Sequence, residues 1–256
     1  MRRSHGVSTW CNRSFVFSVL ALALSISFES AFPAPKYGAG VQILLREHGF
    51  LKKTQAPDFW ALISHYVPQQ DGRSCSLASF TMALNALESH QNPRSAEDRL
   101  LTQKTFLDLV GDLPPIRRFF TGLVPGKTIS LEEFGQIGTA ALQRRGKKGY
   151  RAEVILAEGK DWKDRVVKAL RANERSDRDL ILANYLQSVL TGDPEGKVGH
   201  VAPVGAFDEK AGRVLILDPD REYYEPYWVS LDAFLKGLET PDADSGKNRG
   251  ILWMHP

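Results

Sequence analysis

Gln69 stands six positions before Cys75, across the polar turn Gln69-Gln70-Asp71-Gly72-Arg73-Ser74. From Ser74 to Leu87 the apolar residues Leu77, Phe80, Leu84 and Leu87 recur at intervals of three and four. That spacing predicts an amphipathic helix with Cys75 in its first turn. The unpaired N–H groups and dipole at a helix start favour a thiolate, the nucleophilic form of cysteine. A glutamine at this distance can reach back and donate its amide to an oxyanion, with the Cys75 backbone N–H as second donor. A free cysteine at a helix start also serves as a small buried hydrophobe, and this segment alone leaves both uses open.

A base and an orienting acid come from a second region. His200 opens the apolar strand GHVAPVGAF after Gly199, a residue that leaves room for a neighbour's approach. The turn Asp208-Glu209-Lys210-Ala211-Gly212 leads into RVLILD, which predicts a β-hairpin with Phe207 facing Arg213. Alternation then puts Val214, Ile216 and Asp218 on one face with His200, Ala202, Val204 and Ala206. A carboxylate bonded to one ring nitrogen fixes the imidazole and leaves the other nitrogen for the thiol. The plainer uses are a structural histidine at a strand start and a turn-forming Asp before Pro219. His48, His65, His90 and His255 lie in polar or unpatterned surroundings and read as surface residues.

The elements around these residues sort by half. Capping boxes at Ser95 with Asp98 and at Ser130 with Glu133 predict two further helices, so the first half is mainly helical. From Tyr150 onward, β-branched and apolar runs at 150–156, 179–185, 200–207, 213–217 and 250–254 predict strands. Helices are expected over 161–172 and 230–238. Helices first and strands later predict an α+β domain of two lobes.

The chain has 256 residues, 43% of them hydrophobic, enough for one sizeable core. Residues 1–34 have the parts of a secretory signal peptide: Arg2, Arg3 and Arg13, then the apolar stretch Val16 to Phe28, then small residues from Ser30 to Ala34. The stretch is short for a membrane span, which needs about 20 residues. This reading makes the protein exported, periplasmic or secreted, with no membrane contact after cleavage. Residues 35–53 read as a linker and N-terminal extension, and 54–256 as the catalytic domain. The formal charge of +3 falls close to neutral without the leader, so nothing points to nucleic acid. Of the two cysteines, Cys11 lies in the leader, leaving Cys75 as a lone thiol that needs a task in an oxidising compartment.

Three blocks of this sequence resemble the phytochelatin synthases. FWALISHYVPQQDGRSCSLASFTMALNAL is similar to that family's Q-x5-C-[GS]-x-AS helix and its following V-L-N-A-L. LILANYLQSVLTGDPEGKVGHVAPVGAFDEKAGRVLILD resembles its N-Y segment, its G-H-x-[SA]-P-[IV]-G strand and its L-I-L-D strand. DPDREYYEPYWVSLDAFLKGLET matches its D-x-x-R and Y-x-P-x-W-V stretch at Arg221, Tyr224, Pro226 and Trp228. Ser76 stands where the family usually has Gly, Val201-Ala202 where it usually has Phe-Ser, and the Cys-rich C-terminal region of the plant enzymes has no counterpart.

The resemblance implies a papain-like cysteine proteinase fold with a helical N-terminal lobe and an antiparallel β C-terminal lobe. It implies Cys75 as nucleophile, His200 as base, Asp218 as orienting acid and Gln69 as oxyanion donor. The implied substrates are glutathione and γ-Glu-Cys peptides: Cys75 would cleave the Cys–Gly bond, and a γ-Glu-Cys acyl-enzyme would pass its acyl group mainly to water and otherwise to another glutathione. Arg249 is the candidate for the acyl group's α-carboxylate and Asp242 for its α-amine. Tyr224 is a further substrate-side candidate. Arg221 reads as a structural partner near Asp218, with a substrate role as the other reading. No cofactor and no protein-bound metal are expected; Cd or Zn would enter as glutathione thiolate complexes. A homodimer is left open. The competing readings are a papain-like peptidase on peptide substrates and a non-catalytic thiol- or metal-binding protein.

Overall fold

The computed structural model describes residues 36–89, 97–120, 129–243 and 245–256. The expected leader and the Ser95 cap lie outside them. The described residues fall in one compact unit, Ala34–Pro256. In chain order the first half gives β1 (Gln42–Ile43), α1 (Pro57–Ile63), α2 (Cys75–Ser89), α3 (Gln103–Val110), α4 (Pro114–Phe120) and α5 (Leu131–Arg144). The second half gives β2 (Arg151–Leu156), α6 (Trp162–Asn173), β3 (Leu180–Leu186), α7 (Gln187–Thr191), β4 (Gly199–Asp208), β5 (Arg213–Ile216), β6 (Tyr227–Ser230), α8 (Leu231–Leu238) and β7 (Gly250–His255). The strands form one sheet in the order β1-β6-β5-β4-β3-β7-β2, each neighbouring pair antiparallel. The architecture is α+β.

The sheet is buried on both faces, which accounts for its nearly unbroken apolar strands. Leu180 and Leu182 of β3 join α2, α3 and α5 in one core, while Ile181, Ala183 and Tyr185 join α6, α7 and α8 in the other. In α2 the predicted stripe of Leu77, Phe80, Leu84 and Leu87 is buried, but so is every residue from Ser76 to Leu87. The helix therefore runs through the interior rather than along the surface. Its polar residues are satisfied there: Ser79 Oγ donates to Val201 O (2.9 Å), Thr81 Oγ1 to Leu77 O (2.7 Å), and Asn85 exchanges two hydrogen bonds with the Leu101 backbone.

The Ser130–Glu133 capping box starts α5 as predicted. The helix predicted to follow Ser95 begins instead at Gln103, where Thr102 and Thr105 form the capping box. Residues 36–53 pack on the rest of the unit: Tyr37 Oη donates to Glu225 Oε2 (2.7 Å), β1 pairs with β6, and Phe50 lies edge-on to Trp228.

The β4–β5 hairpin decides where Asp218 goes. Asp208 pairs with Arg213, Phe207 with Val214 and Ala206 with Leu215, yet Val204 pairs with Ile216. Gly205 is the extra residue of a β-bulge. The predicted Phe207–Arg213 pairing is thus off by one near the turn and correct beyond the bulge. A one-residue slip exchanges the faces of a strand, so the bulge returns Asp218 to the face of Ala202 and His200. It also turns Ala206 to the α2 side and puts Phe207 in its place, correcting the expectation for Ala206. A Cβ on Gly205 would stand 2.9 Å from Leu217 Cγ and 3.3 Å from Leu215 Cδ2.

At the end of the sheet away from His200, three carboxyls are packed together. Asp58 of α1 is 1% exposed, and its Oδ1 has no hydrogen-bond partner among the described residues. Burial, then the proximity of Asp179 and Glu174, holds its pKa well above the usual carboxyl value. Burial likewise pushes Glu174 up to about 7, although it accepts the Phe207 N–H.

Two predictions follow from this packing. Gly205→Val should cost about 2 kcal/mol in chemical denaturation, and should slow Cys75 alkylation because the bulge no longer sets Asp218. Between the ordinary carboxyl pKa of 4.5 and about 7, the folded state holds protons that the unfolded chain releases, so stability should fall as pH rises through that window. After discounting for solvent screening the Glu174 share is on the order of 1 kcal/mol, and the double substitution Asp58→Asn with Glu174→Gln should flatten the slope of denaturation midpoint against pH.

Candidate active site

Each member of the site is fixed by a rigid element. Ser74 is buried before α2, and its Oγ accepts the backbone N–H groups of Gln70 (2.8 Å) and Asp71 (2.9 Å), closing the turn that delivers Cys75 to the helix start. One turn further along α2, the Ser79 bond to the carbonyl of Val201 joins the helix of Cys75 to the residue after His200. The Gln69 backbone donates to Pro219 O (2.8 Å), and the Tyr66 hydroxyl donates to the Asp218 carbonyl. The turn before Cys75 is thereby fastened to the turn after Asp218.

His200 and Asp218 are brought together as predicted, with Nε2 and Oδ1 2.8 Å apart and both residues buried. The Cys75 thiol is half-buried and lies close enough to the same imidazole to act on its charge. With Nε2 committed to Asp218, Nδ1 is the nitrogen left for sulfur. Burial opposes a charged imidazole, but the Asp218 carboxylate and then Cys75 hold the His200 pKa well above the usual value. Burial would also raise Asp218, whereas His200 and the donors around it keep that carboxyl below its ordinary pKa. These directions describe a site that keeps the imidazole protonated beside the sulfur.

Several groups holding Asp218 were not singled out from the sequence. Tyr227 Oη (3.1 Å), Tyr185 Oη (3.2 Å) and Gln187 Nε2 (3.4 Å) converge on Oδ2, while the Asp220 N–H (2.9 Å) shares Oδ1 with His200. Tyr185 is also the strand partner of His200, with its ring edge-on to the imidazole. The signal was present in LILANYL, where Asn184 and Tyr185 interrupt a strand buried on both faces.

Cys75 opens into a cleft of about 580 Å³. Arg249 and Asp242 line it and are buried, as does Asn184, whose Oδ1 has no partner among the described residues. Arg249 spends Nη1 on the Thr240 and Pro241 carbonyls and the Thr240 hydroxyl, and its Nε is buried without a partner among the described residues. Burial lowers its pKa from the usual arginine value, while Asp242 works the other way. The room predicted at Gly199 is used by this guanidinium: a Cβ there would stand 3.0 Å from Arg249 Nη2.

Gln69 keeps its side chain half-buried, with Oε1 unpartnered among the described residues. Ser76 is buried in the cleft wall beside Cys75. Arg221 and Tyr224 are not among the cleft residues. Arg221 donates to the Tyr224 carbonyl (3.0 Å) and lies over the Tyr66 ring, beside the Asp218 turn. The Tyr224 hydroxyl donates to Asp193 Oδ2 (2.7 Å).

An interior helix that presents a cysteine to a histidine–aspartate pair, at the wall of a cleft, is an α+β arrangement that can carry thiol nucleophilic chemistry. The chain belongs to the phytochelatin synthase family, whose model matches residues 40–251. It is 27% identical over 194 residues to the glutathione gamma-glutamylcysteinyltransferase 3 of Lotus japonicus, covering 76% of this chain and 36% of that one. It is 26% identical over 203 residues to transferase 2 of Arabidopsis thaliana (79% and 40%), and 24% identical over 219 residues to the Schizosaccharomyces pombe transferase (85% and 47%). The chain spans less than half the length of these relatives.

Asp218→Asn should remove the charge that keeps His200 protonated. Each unit by which the His200 pKa falls weakens the thiolate–imidazolium pair about tenfold, so Cys75 alkylation by iodoacetamide should slow by about that factor between pH 6 and 7.

Proposed function

We propose that the protein is a cysteine acyltransferase acting on glutathione, with a papain-like disposition of helix-borne nucleophile and strand-borne base. The observation that carries the reading is the hydrogen-bonded pair His200–Asp218, with Cys75 beside the imidazole, at the wall of a cleft that also holds the buried residues Arg249 and Asp242. The names of the relatives support the choice of substrate.

The Cys75 sulfur adds to the Cys–Gly amide carbonyl, whose oxygen takes the negative charge. The Cys75 backbone N–H and the Gln69 amide are the donors assigned to that oxygen. Turning the Gln69 amide end for end exchanges Oε1 and Nε2, so its buried group can present either polarity. As the tetrahedral adduct collapses, the C–N bond breaks and the His200 proton goes to the departing glycine nitrogen. A γ-Glu-Cys thioester stays on Cys75, and neutral His200 then takes a proton from water or from the amine of a second glutathione as it attacks. Water is the main acceptor, giving γ-Glu-Cys, and transfer gives longer γ-Glu-Cys peptides. Arg249 pairs with the α-carboxylate of the γ-glutamyl group and Asp242 with its α-ammonium. Heavy metal ions enter bound to the substrate thiol. The leader reading of residues 1–34 places this activity outside the cytoplasm.

The full chain incubated with reduced glutathione, with and without Cd²⁺, should release glycine and γ-Glu-Cys, followed by mass spectrometry. Cys75→Ala should lower the rate by about a thousandfold or more. Absence of glycine from wild type under both conditions would overturn the assignment.

A further inference from the structure

The charge lining the cleft exceeds what the γ-glutamyl end of glutathione requires. Among the described residues the cleft carries three cationic side chains, Arg73, Lys197 and Arg249, against one carboxylate, Asp242. Glutathione carries two carboxylates and one ammonium. Arg249 and Asp242 complement the zwitterionic γ-glutamyl end, which leaves one substrate carboxylate, that of the departing glycine, and two cations.

Arg73 is exposed but held in place. It lies in the turn two residues before Cys75, where its backbone N–H donates to Asp71 Oδ1 (2.8 Å). Its Nη2 donates to the Phe119 carbonyl (2.8 Å), and the guanidinium carbon lies 4.7 Å from the centre of the Phe119 ring. These contacts use one terminal nitrogen and one face of the guanidinium. The fork has further N–H groups to offer, in an orientation fixed before any ligand arrives, so less side-chain entropy is lost on binding. Lys197 enters the cleft from the segment between α7 and β4, and its ammonium makes no ion pair among the described residues.

We propose that Arg73 and Lys197 form a subsite for the free carboxylate of the leaving amino acid, so that the enzyme selects peptides whose scissile amide is followed by an unblocked terminal carboxylate. This inference rests on the glutathione reading and deepens it. The guanidinium binds the carboxylate by directed hydrogen bonds and the ammonium adds charge at the same end of the substrate. The subsite also keeps the departing glycine nitrogen near the His200 proton.

The test compares the full chain on reduced glutathione and on the same tripeptide with its glycine carboxylate converted to the carboxamide, following release of glycine or glycinamide. Wild type should favour the free acid in kcat/KM by about tenfold or more, the usual scale for a hydrogen bond to a charged group. Arg73→Ala and Lys197→Ala should each narrow that ratio, with Arg73→Lys retaining part of it. Raising the salt from about 0.05 to about 0.5 M should also narrow it, because the pairing is partly exposed. Loss of fold or of general activity would move both substrates together and leave the ratio alone. Equal cleavage of acid and amide by wild type, or a ratio unchanged in both alanine variants, would overturn the subsite while leaving the glutathione reading intact. Cleavage of neither substrate by wild type would overturn both.

Discussion

A carboxyl with no access to water stays ionised only if it is paired and hydrogen-bonded, and Asp218 is 0% exposed. An unpaired ion at such a depth costs several kcal/mol even after relaxation. The chain meets that cost with groups drawn from separate elements: His200 from β4, Tyr185 from β3, Gln187 from α7, Tyr227 from β6 and the backbone of Asp220. Each donor is useful only if its own strand is in register. The carboxylate therefore acts as a common reference for the sheet, and the imidazole it holds is aligned by the same contacts that keep the charge tolerable.

This arrangement rests the site residues on packed elements. Cys75 begins a helix whose residues are buried for three turns, and His200 begins a central strand. The Ser79–Val201 bond, together with the clasp of Gln69 on Pro219 and Tyr66 on Asp218, joins these two supports directly. Packed elements of this kind resist displacement because neighbouring side chains leave little free volume. A thiol–imidazole contact is sensitive to small displacements, and here both groups rest on packed elements.

The sequence made the long, strongly patterned elements legible, and the reasons are local. Ser130 with Glu133, Ser230 before α8 and the apolar run of α2 each carry their own signal. The four residues of β6 follow Pro226 and end on the Ser230 helix cap, so too few positions remain for a period-two pattern. The short helices α1 and α7 are held by tertiary contact and neither has a side-chain hydrogen bond at its N-cap. The bulge at Gly205 left the strand's apolar pattern intact while changing which face each residue occupies; only the pairing partner reveals it. Among the site residues, Cys75, His200 and Asp218 stood out because their types are expensive or reactive in such surroundings. Tyr185 and Tyr227 passed as ordinary core aromatics, since nothing in a sequence distinguishes a buried hydroxyl that has a carboxylate to bind from one that does not.

The charged groups that line the cleft differ in burial, which bears on how a substrate is held. Arg249 and Asp242 are buried, and the backbone carbonyls and Thr240 hydroxyl around Arg249 fix the guanidinium before any ligand arrives. Arg73 and Lys197 are exposed, and water screens them strongly. A charged group bound by the buried residues is worth more, because less solvent competes, but it also has to shed more water to enter. The exposed cations impose a smaller desolvation cost and release a ligand more readily. On the glutathione reading proposed above, an acyl group held by the buried residues and an amino acid discharged past the exposed cations would be served by that asymmetry.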